Sequence, residues 1–127
     1  MNLKRRVCPR IVENLPVDIE NSLGEKVHAQ TLNLSVKGIG LRCTTDDRNL
    51  ITPQGDVVSQ GRPVEVEMQL TVTNAQGKPD IIKANCGITY SRRLAQGECQ
   101  VGMVFLDMDD VSEDNLKKFI NKSLDQS

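Results

Sequence analysis

Aromatic residues, histidine and long apolar runs are scarce in this chain, and each scarcity argues against a class of function. The 127 residues include two phenylalanines, one tyrosine and no tryptophan, whereas proteins that bind single-stranded nucleic acid stack bases on aromatic side chains. The one histidine, His28, leaves no H-E-x-x-H pair, and no G-x-S-x-G elbow occurs. No apolar run approaches the roughly 18 to 20 residues of a membrane helix. We therefore expect no catalytic residue, no nucleic-acid partner and no membrane span.

The four cysteines are too widely spaced to form a zinc site. Zinc ligands come in clustered pairs, and no C-x-x-C pair is present. The basic N-terminus has no apolar stretch behind it, so a signal peptide is not expected and the default location is the cytoplasm. Disulfides are not favoured in that reducing compartment. We expect small core residues on strands at Cys43, Cys86 and Cys99.

The charge is unevenly distributed along the chain. Residues 1–12 carry four basic residues and no acid, whereas the rest has 12 basic and 17 acidic residues. The length fits one domain with one core. We expect a basic arm over residues 1–12, which attracts anions, and an acidic body over residues 13–127. A solvated, disordered leader is the alternative interpretation of the arm.

The body has the alternation of β-strands. Apolar and polar residues alternate over residues 64–72 and again over 82–90, as in half-buried strands. Shorter candidate strands are residues 17–19, 27–32, 39–43 and 100–105. Residues 44–61 are predicted as a long loop, and residues 92–97 as a turn. Several short strands joined by polar turns indicate a barrel or a sandwich.

The C-terminus changes to the period of a helix. Apolar residues at helical spacing predict an amphipathic helix over residues 110–125, with Asp110 as a candidate cap. This helix should pack against the barrel. The expected fold is therefore all-β with a C-terminal helix. The three aromatic residues, Tyr90, Phe105 and Phe119, fall on elements predicted to form the core.

Two motifs suggest ligand binding. Three arginines lie within six residues of the arm, at Arg5, Arg6 and Arg10, and the guanidinium fork suits phosphate and the O6/N7 edge of guanine. Pro9 disfavours helix before it, so an extended arm would separate Arg6 and Arg10 by up to roughly 13 Å.

The second motif precedes the strand at residues 39–43. Asn33 and Ser35 project to one face of an extended backbone, where they can bind a ligand or cap their own turn. We expect Gly38 to supply a positive φ at the entry to the next strand.

Together, R-x-x-x-R at Arg6 and Arg10, then N-x-S-x-x-G from Asn33 to Gly38 after 22 residues, resemble the signature of the PilZ domain family. Residues 101–105 are similar to the family's late glycine-bearing strand, and a terminal helix follows. The resemblance runs from Arg5 to about Leu124. It implies a six- or seven-stranded antiparallel β-barrel with a C-terminal helix, and cyclic di-GMP as ligand.

The resemblance also implies roles for the arm. Arg6 and Arg10 would hold the phosphates and guanine edges, and Arg5 would favour a stacked pair of ligands. Where the family often places an aromatic residue, this chain has Cys8.

On the barrel, the resemblance implies that Asn33 and Ser35 contact guanine and that Gly38 keeps the turn open. Gly102 lies on the strand behind the site. The implied function is that of a receptor that signals to a protein partner. A PilZ-like adaptor that binds no nucleotide is the alternative, although family members of that kind tend to lack the arginine motif that this chain has. No sequence feature identifies the downstream effector.

Overall fold

A computed structural model describes residues 9–125, and its strands close into one barrel. Its six strands are β1 (Pro16–Glu20), β2 (Lys26–Leu34), β3 (Gly38–Thr44), β6 (Glu65–Thr73), β7 (Pro79–Ala95) and β8 (Glu98–Met108). Around the barrel the order is β1-β2-β3-β8-β7-β6, and β6 pairs back with β1. Every neighbouring pair is antiparallel. The six-stranded barrel confirms the all-β expectation.

The alternation seen in the sequence separates the barrel interior from its surface. Along β6, every second residue from Val66 to Val72 is buried and the residues between are mostly exposed, because successive strand side chains point to opposite faces. The three cysteines predicted in the core are buried and free of disulfides, at Cys43, Cys86 and Cys99. Burial raises the pKa of both Cys43 and Cys86 to about 12.

The C-terminal helix α2 (Asp110–Asp125) packs against β7 and buries Leu116 and Ile120. The prediction of Asp110 as the cap is wrong, because the side chain of Asp109 accepts the bond from the Ser112 amide at 2.7 Å. The helix begins one residue after its capping carboxylate, so the cap lies at position 109. None of the helices within residues 9–125 is long and apolar enough to cross a membrane.

The prediction of a long loop at residues 44–61 is also wrong. The Thr44 hydroxyl accepts a bond from the Asp47 amide and starts a helix, and Ile51 anchors that helix in the core. A helix of seven residues with one buried side chain shows no apolar period in the sequence. The segment contains α1 (Thr45–Ile51), a 3-10 helix (Pro53–Gly55), β4 (Val58–Ser59) and β5 (Arg62–Pro63).

The expected turn at residues 92–97 is shorter than predicted. Strand β7 continues to Ala95, and only two residues separate it from β8. Gly97 takes a positive φ of 77° there. The register of β7 against β8 shifts between Ile88 and Tyr90. This bulge changes which residues face outward, so Tyr90 is 41% exposed rather than in the core.

Candidate functional site

Four residues form a row across neighbouring strands on the outside of the barrel. Asn33 on β2 is opposite Gly40 on β3, and Gly40 is opposite Gly102 on β8. Gly102 is in turn opposite Tyr90 on β7. Three spacings of about 4.8 Å make this row about 14 Å wide. It therefore presents an amide at one end and an aromatic ring at the other.

Gly40 and Gly102 have no side chain, so the side chains of Asn33 and Tyr90, at the two ends of the row, lie directly against the barrel backbone. An ideal Cβ at Gly40 would come within 3.0 Å of the Asn33 side-chain oxygen. At Gly102 a Cβ would lie 2.1 Å from the ring of Tyr90, so the ring rests on the backbone of Gly102. The amide can bond the edge of a base, and a flat ring can stack against a base. This surface thus suits a purine ligand.

The arm joins this row through Arg10. The Arg10 Nη1 donates to the Asn33 Oδ1 at 2.5 Å. One residue later, Ile11 pairs with Leu34, with N–O distances of 2.8 and 3.0 Å in the two directions. Ile11 is buried, so the last residues of the predicted arm are fixed to the barrel. Arg5 and Arg6 lie outside the described residues.

Ser35 holds the turn between β2 and β3. Its Oγ accepts from the amides of Lys37 and Gly38, each at 3.2 Å, and the residue is 2% exposed. In this structure its hydroxyl therefore caps its own turn, one of the two roles that the sequence left open. A contact with ligand stays a prediction.

Gly38 is required for a different reason from the one expected. The expectation of a positive φ is wrong, because Gly38 is not among the residues with that backbone conformation. An ideal Cβ there would lie 2.3 Å from the carbonyl oxygen of Met103 on β8. The glycine permits a close approach of β3 and β8 at the start of β3.

Sequence reasoning missed Tyr90 and the polar residues beside it. The Gln100 Oε1 accepts from Arg92 Nε and Nη2, at 3.1 and 3.0 Å, and the Gln100 Nε2 donates to the Tyr90 hydroxyl at 2.8 Å. Tyr90 was missed because regular alternation along β7 would place it inside the barrel, and the bulge turns it outward. Arg92 was missed because residues 92–97 were predicted as a turn. Along β8, alternation of inward and outward side chains would have indicated that Gln100 faces outward.

The charge on this face favours an anion. Within residues 9–125, the ion pairs all use lysine or histidine as the cation, and no arginine has a carboxylate within 4.0 Å. A cavity of about 360 Å³ elsewhere, between β1 and β6, is lined by charged residues of both signs, namely Asp18, Glu20, Glu67, Lys26 and Lys83. Residues 9–125 contain no group of three or more side chains that could hold a metal ion.

Solved structures with the same fold were found at low sequence identity. The structure of the Bacillus subtilis inhibitor of motility, MotI/DgrA, matches 99% of this chain and 55% of its own, with a TM-score of 0.74 and 13% identity. The chain thus spans about half the length of that protein. The K. pneumonia MrkH–c-di-GMP complex matches 98% and 54%, with a TM-score of 0.68 and 12% identity.

The PilZ domain of Escherichia coli YcgR with c-di-GMP corresponds to the chain over almost its full length. It covers 97% of this chain and 94% of its own, with a TM-score of 0.57 and 15% identity. These likenesses establish the fold. No curated protein matches in sequence. The family model of the PilZ domain matches residues 4–122, and this chain therefore belongs to the PilZ domain family.

Proposed function

We propose that this domain is a receptor for cyclic di-GMP that acts by binding rather than by catalysis. The observation that carries the proposal is the bond from Arg10 to Asn33, which joins the two motifs on one face of the barrel. A charged fork, an amide and an exposed ring then lie around the paired glycines. Family membership supports the same ligand, as do the related structures of MrkH and of the YcgR PilZ domain with c-di-GMP.

In this proposal the arm and the barrel share the ligand. Arg6 and Arg10 take the phosphates and guanine edges, while Asn33 and Ser35 contact guanine from the barrel. Ser35 must release part of its turn bonding to do so, because its hydroxyl is buried among its own turn amides. Gly38 keeps β3 close to β8, and Gly102 lets the Tyr90 ring lie flat on the barrel beside the ligand. Arg5 favours a second, stacked molecule.

The signal would be a change in the arm. The pairing of Ile11 with Leu34 fixes the arm at its base, so a ligand that engages Arg6 and Arg10 would hold the residues before Ile11 against the barrel. Charge-assisted hydrogen bonds supply the free energy for such an ordering. The ordered arm and the adjoining barrel surface would then be the surface that a protein effector recognises.

Isothermal titration with cyclic di-GMP, with GTP as the control nucleotide, tests the proposal. We expect saturable binding of cyclic di-GMP alone, and a ratio near two would support the role of Arg5. Arg6→Ala and Arg10→Ala should each abolish binding with an unchanged melting temperature. Arg62→Ala is the matched control, because Arg62 is exposed on the β4–β5 hairpin. Wild-type affinity in both arm variants would contradict the proposal.

Absence of binding by the wild type, with no shift in its melting temperature, would favour the alternative. The domain would then be a protein adaptor without a nucleotide ligand. Its partner would have to be sought directly.

A further inference from the structure

A groove opens at one end of the barrel, between the β2–β3 turn and helix α2. Its volume is about 440 Å³, which lies within the range of cavities that hold ligands. Leu106 is 51% exposed there, and its neighbour Phe105 is only partly buried. The apolar residues that line the groove are Val36, Phe105, Leu106, Met108 and Leu116. Residues 9–125 therefore leave apolar surface open beside the turn that contains Ser35.

Acidic residues dominate the side of the groove that the end of β8 and the start of α2 form. Residues 105–114 include five acids and no base, and all five acids are exposed. Of the two lysines that line the groove, Lys117 pairs with Glu113 at 3.7 Å, and Lys37 lies across the groove in the β2–β3 turn. Three of the acids form no ion pair within the described part of the chain, namely Asp107, Asp109 and Asp110. This side of the groove therefore attracts a cationic segment.

The described chain begins beside this groove, and its direction leads into it. Ile11 pairs with Leu34 in an antiparallel bridge, with hydrogen bonds in both directions. In such a pair the residues before Ile11 run towards the residues after Leu34, which form the turn that lines the groove through Val36 and Lys37. Residues 1–8 can span up to about 26 Å. From β2 to β8 is two strand spacings, or about 10 Å, so this segment is long enough to cross the groove.

The composition of residues 1–8 complements the groove. The segment has apolar residues at Leu3 and Val7, three cations between them at positions 4–6, and no acid. We propose that residues 1–8 lie in this groove in the ligand-free protein, with Leu3 and Val7 against its apolar lining and the cations towards the acids of residues 105–114. The apolar side chains gain by leaving water, and the cations gain from the potential of the acids.

This inference deepens the proposed function and rests on it, because it uses the role of Arg6 in holding the ligand. The row of Asn33 and Tyr90 lies on the outside of the barrel, whereas the groove lies at its end. Arg6 cannot contact a ligand on the row and the acids of α2 at the same time. Cyclic di-GMP would therefore withdraw residues 1–8 from the groove and uncover it.

A nitroxide at residue 2 of the full chain reports where the segment lies. Asn2→Cys with Cys8→Ser places the label there, since the remaining cysteines are buried. In the ligand-free protein, paramagnetic broadening should remove most of the amide signal at three positions around the groove, Lys37, Asp107 and Glu113. The signal of Leu23, which precedes the other end of β2, should keep its intensity. Saturating cyclic di-GMP should restore the signals at the groove.

The spectra separate this inference from its alternatives. Full intensity at the groove in the ligand-free protein would overturn the inference, and so would broadening that persists with saturating ligand. Broadening with the nitroxide and the observed amides on separate chains would mean that a second copy supplies the segment, which would also overturn it. If the wild type binds no cyclic di-GMP, the proposed function and the ligand-driven release fail, but the ligand-free spectra still decide whether the segment docks.

A groove variant tests the same contact through affinity. Leu106→Thr removes apolar surface from the groove without a change of charge, and Val58→Thr is the matched control, because the two strand residues are 51% and 52% exposed. Docking lowers the apparent affinity for cyclic di-GMP to the fraction of molecules in which the segment is free, so release of a segment docked in about four-fifths of the molecules would tighten binding roughly fivefold. Val58→Thr should bind as the wild type does. Unchanged or weaker binding by a folded Leu106→Thr chain would overturn the inference.

Discussion

Replacement of two glycines on β3 by alanine should separate a structural role from a ligand-binding role. Gly38 and Gly40 both lie where β3 approaches its neighbours, but they face different atoms. A Cβ at Gly38 would meet the backbone oxygen of Met103 at 2.3 Å, whereas at Gly40 it would meet the side chain of Asn33 at 3.0 Å. The Met103 carbonyl belongs to a paired strand and cannot move aside locally, whereas the partly exposed Asn33 amide can rotate.

The expected magnitudes follow from this contrast. Overpacking against a fixed atom costs about 3 kcal/mol, at the upper end of the usual range, while alanine stabilises by about 0.4–1 kcal/mol through the unfolded chain. Gly38→Ala should therefore lose roughly 2 kcal/mol of unfolding free energy, or roughly 8 °C in melting temperature for a domain of this size. Gly40→Ala should change stability by about 0.5 kcal/mol or less. It should weaken binding of cyclic di-GMP roughly tenfold, because displacement of Asn33 breaks its charged hydrogen bond with Arg10.

Thermal and urea denaturation measure the first effect, and isothermal titration measures the second. The control is the comparison itself, since both variants add one methyl group to the same strand. Gly38→Ala melting together with the wild type would refute the reasoning from close approach. Gly40→Ala with wild-type affinity would refute the placement of Asn33 in the ligand site.

Three further predictions concern the stability and reactivity of the barrel. Asp109→Ala should cost about 1 kcal/mol in urea denaturation through loss of the helix cap, and Asp110→Ala, which removes the same charge but no cap bond, should cost less; equal costs would contradict the cap assignment. Thr31→Val should cost about 1–3 kcal/mol in the same assay, because the amide of Leu15 loses its acceptor at the buried hydroxyl; wild-type stability would argue against that bond. In a Cys8→Ser variant, Ellman's reagent at neutral pH should label no thiol until denaturant is added, because the remaining cysteines are buried. Rapid labelling would contradict the burial of Cys43, Cys86 and Cys99.

Strand alternation made much of the core predictable from the sequence. The apolar set of β6 is buried as the period-two pattern indicates, because each strand has one face inside the barrel and one outside. The same argument placed three cysteines inside. Helical spacing near the C-terminus likewise predicted α2 over its observed span.

Alternation failed where the backbone departs from regular pairing. The register shift in β7 turned Tyr90 outward, and nothing in the residue types marks that position. The short helix α1 buries only Ile51, which is too little to leave a period in the sequence. Local patterns report local geometry, so they cannot reveal a bulge that a partner strand imposes.

By itself, the sequence determined the class of fold, the excess of basic residues over residues 1–12, and the two motifs that suggest an anionic guanine ligand. Tertiary structure alone decided that Arg10 reaches Asn33, and that Arg42 and Arg92 flank Gln100. It also decided that Gly38 serves close strand approach rather than backbone conformation. These relations join residues far apart in the chain, and closure of the barrel brings them together because cross-strand register fixes which residues are neighbours.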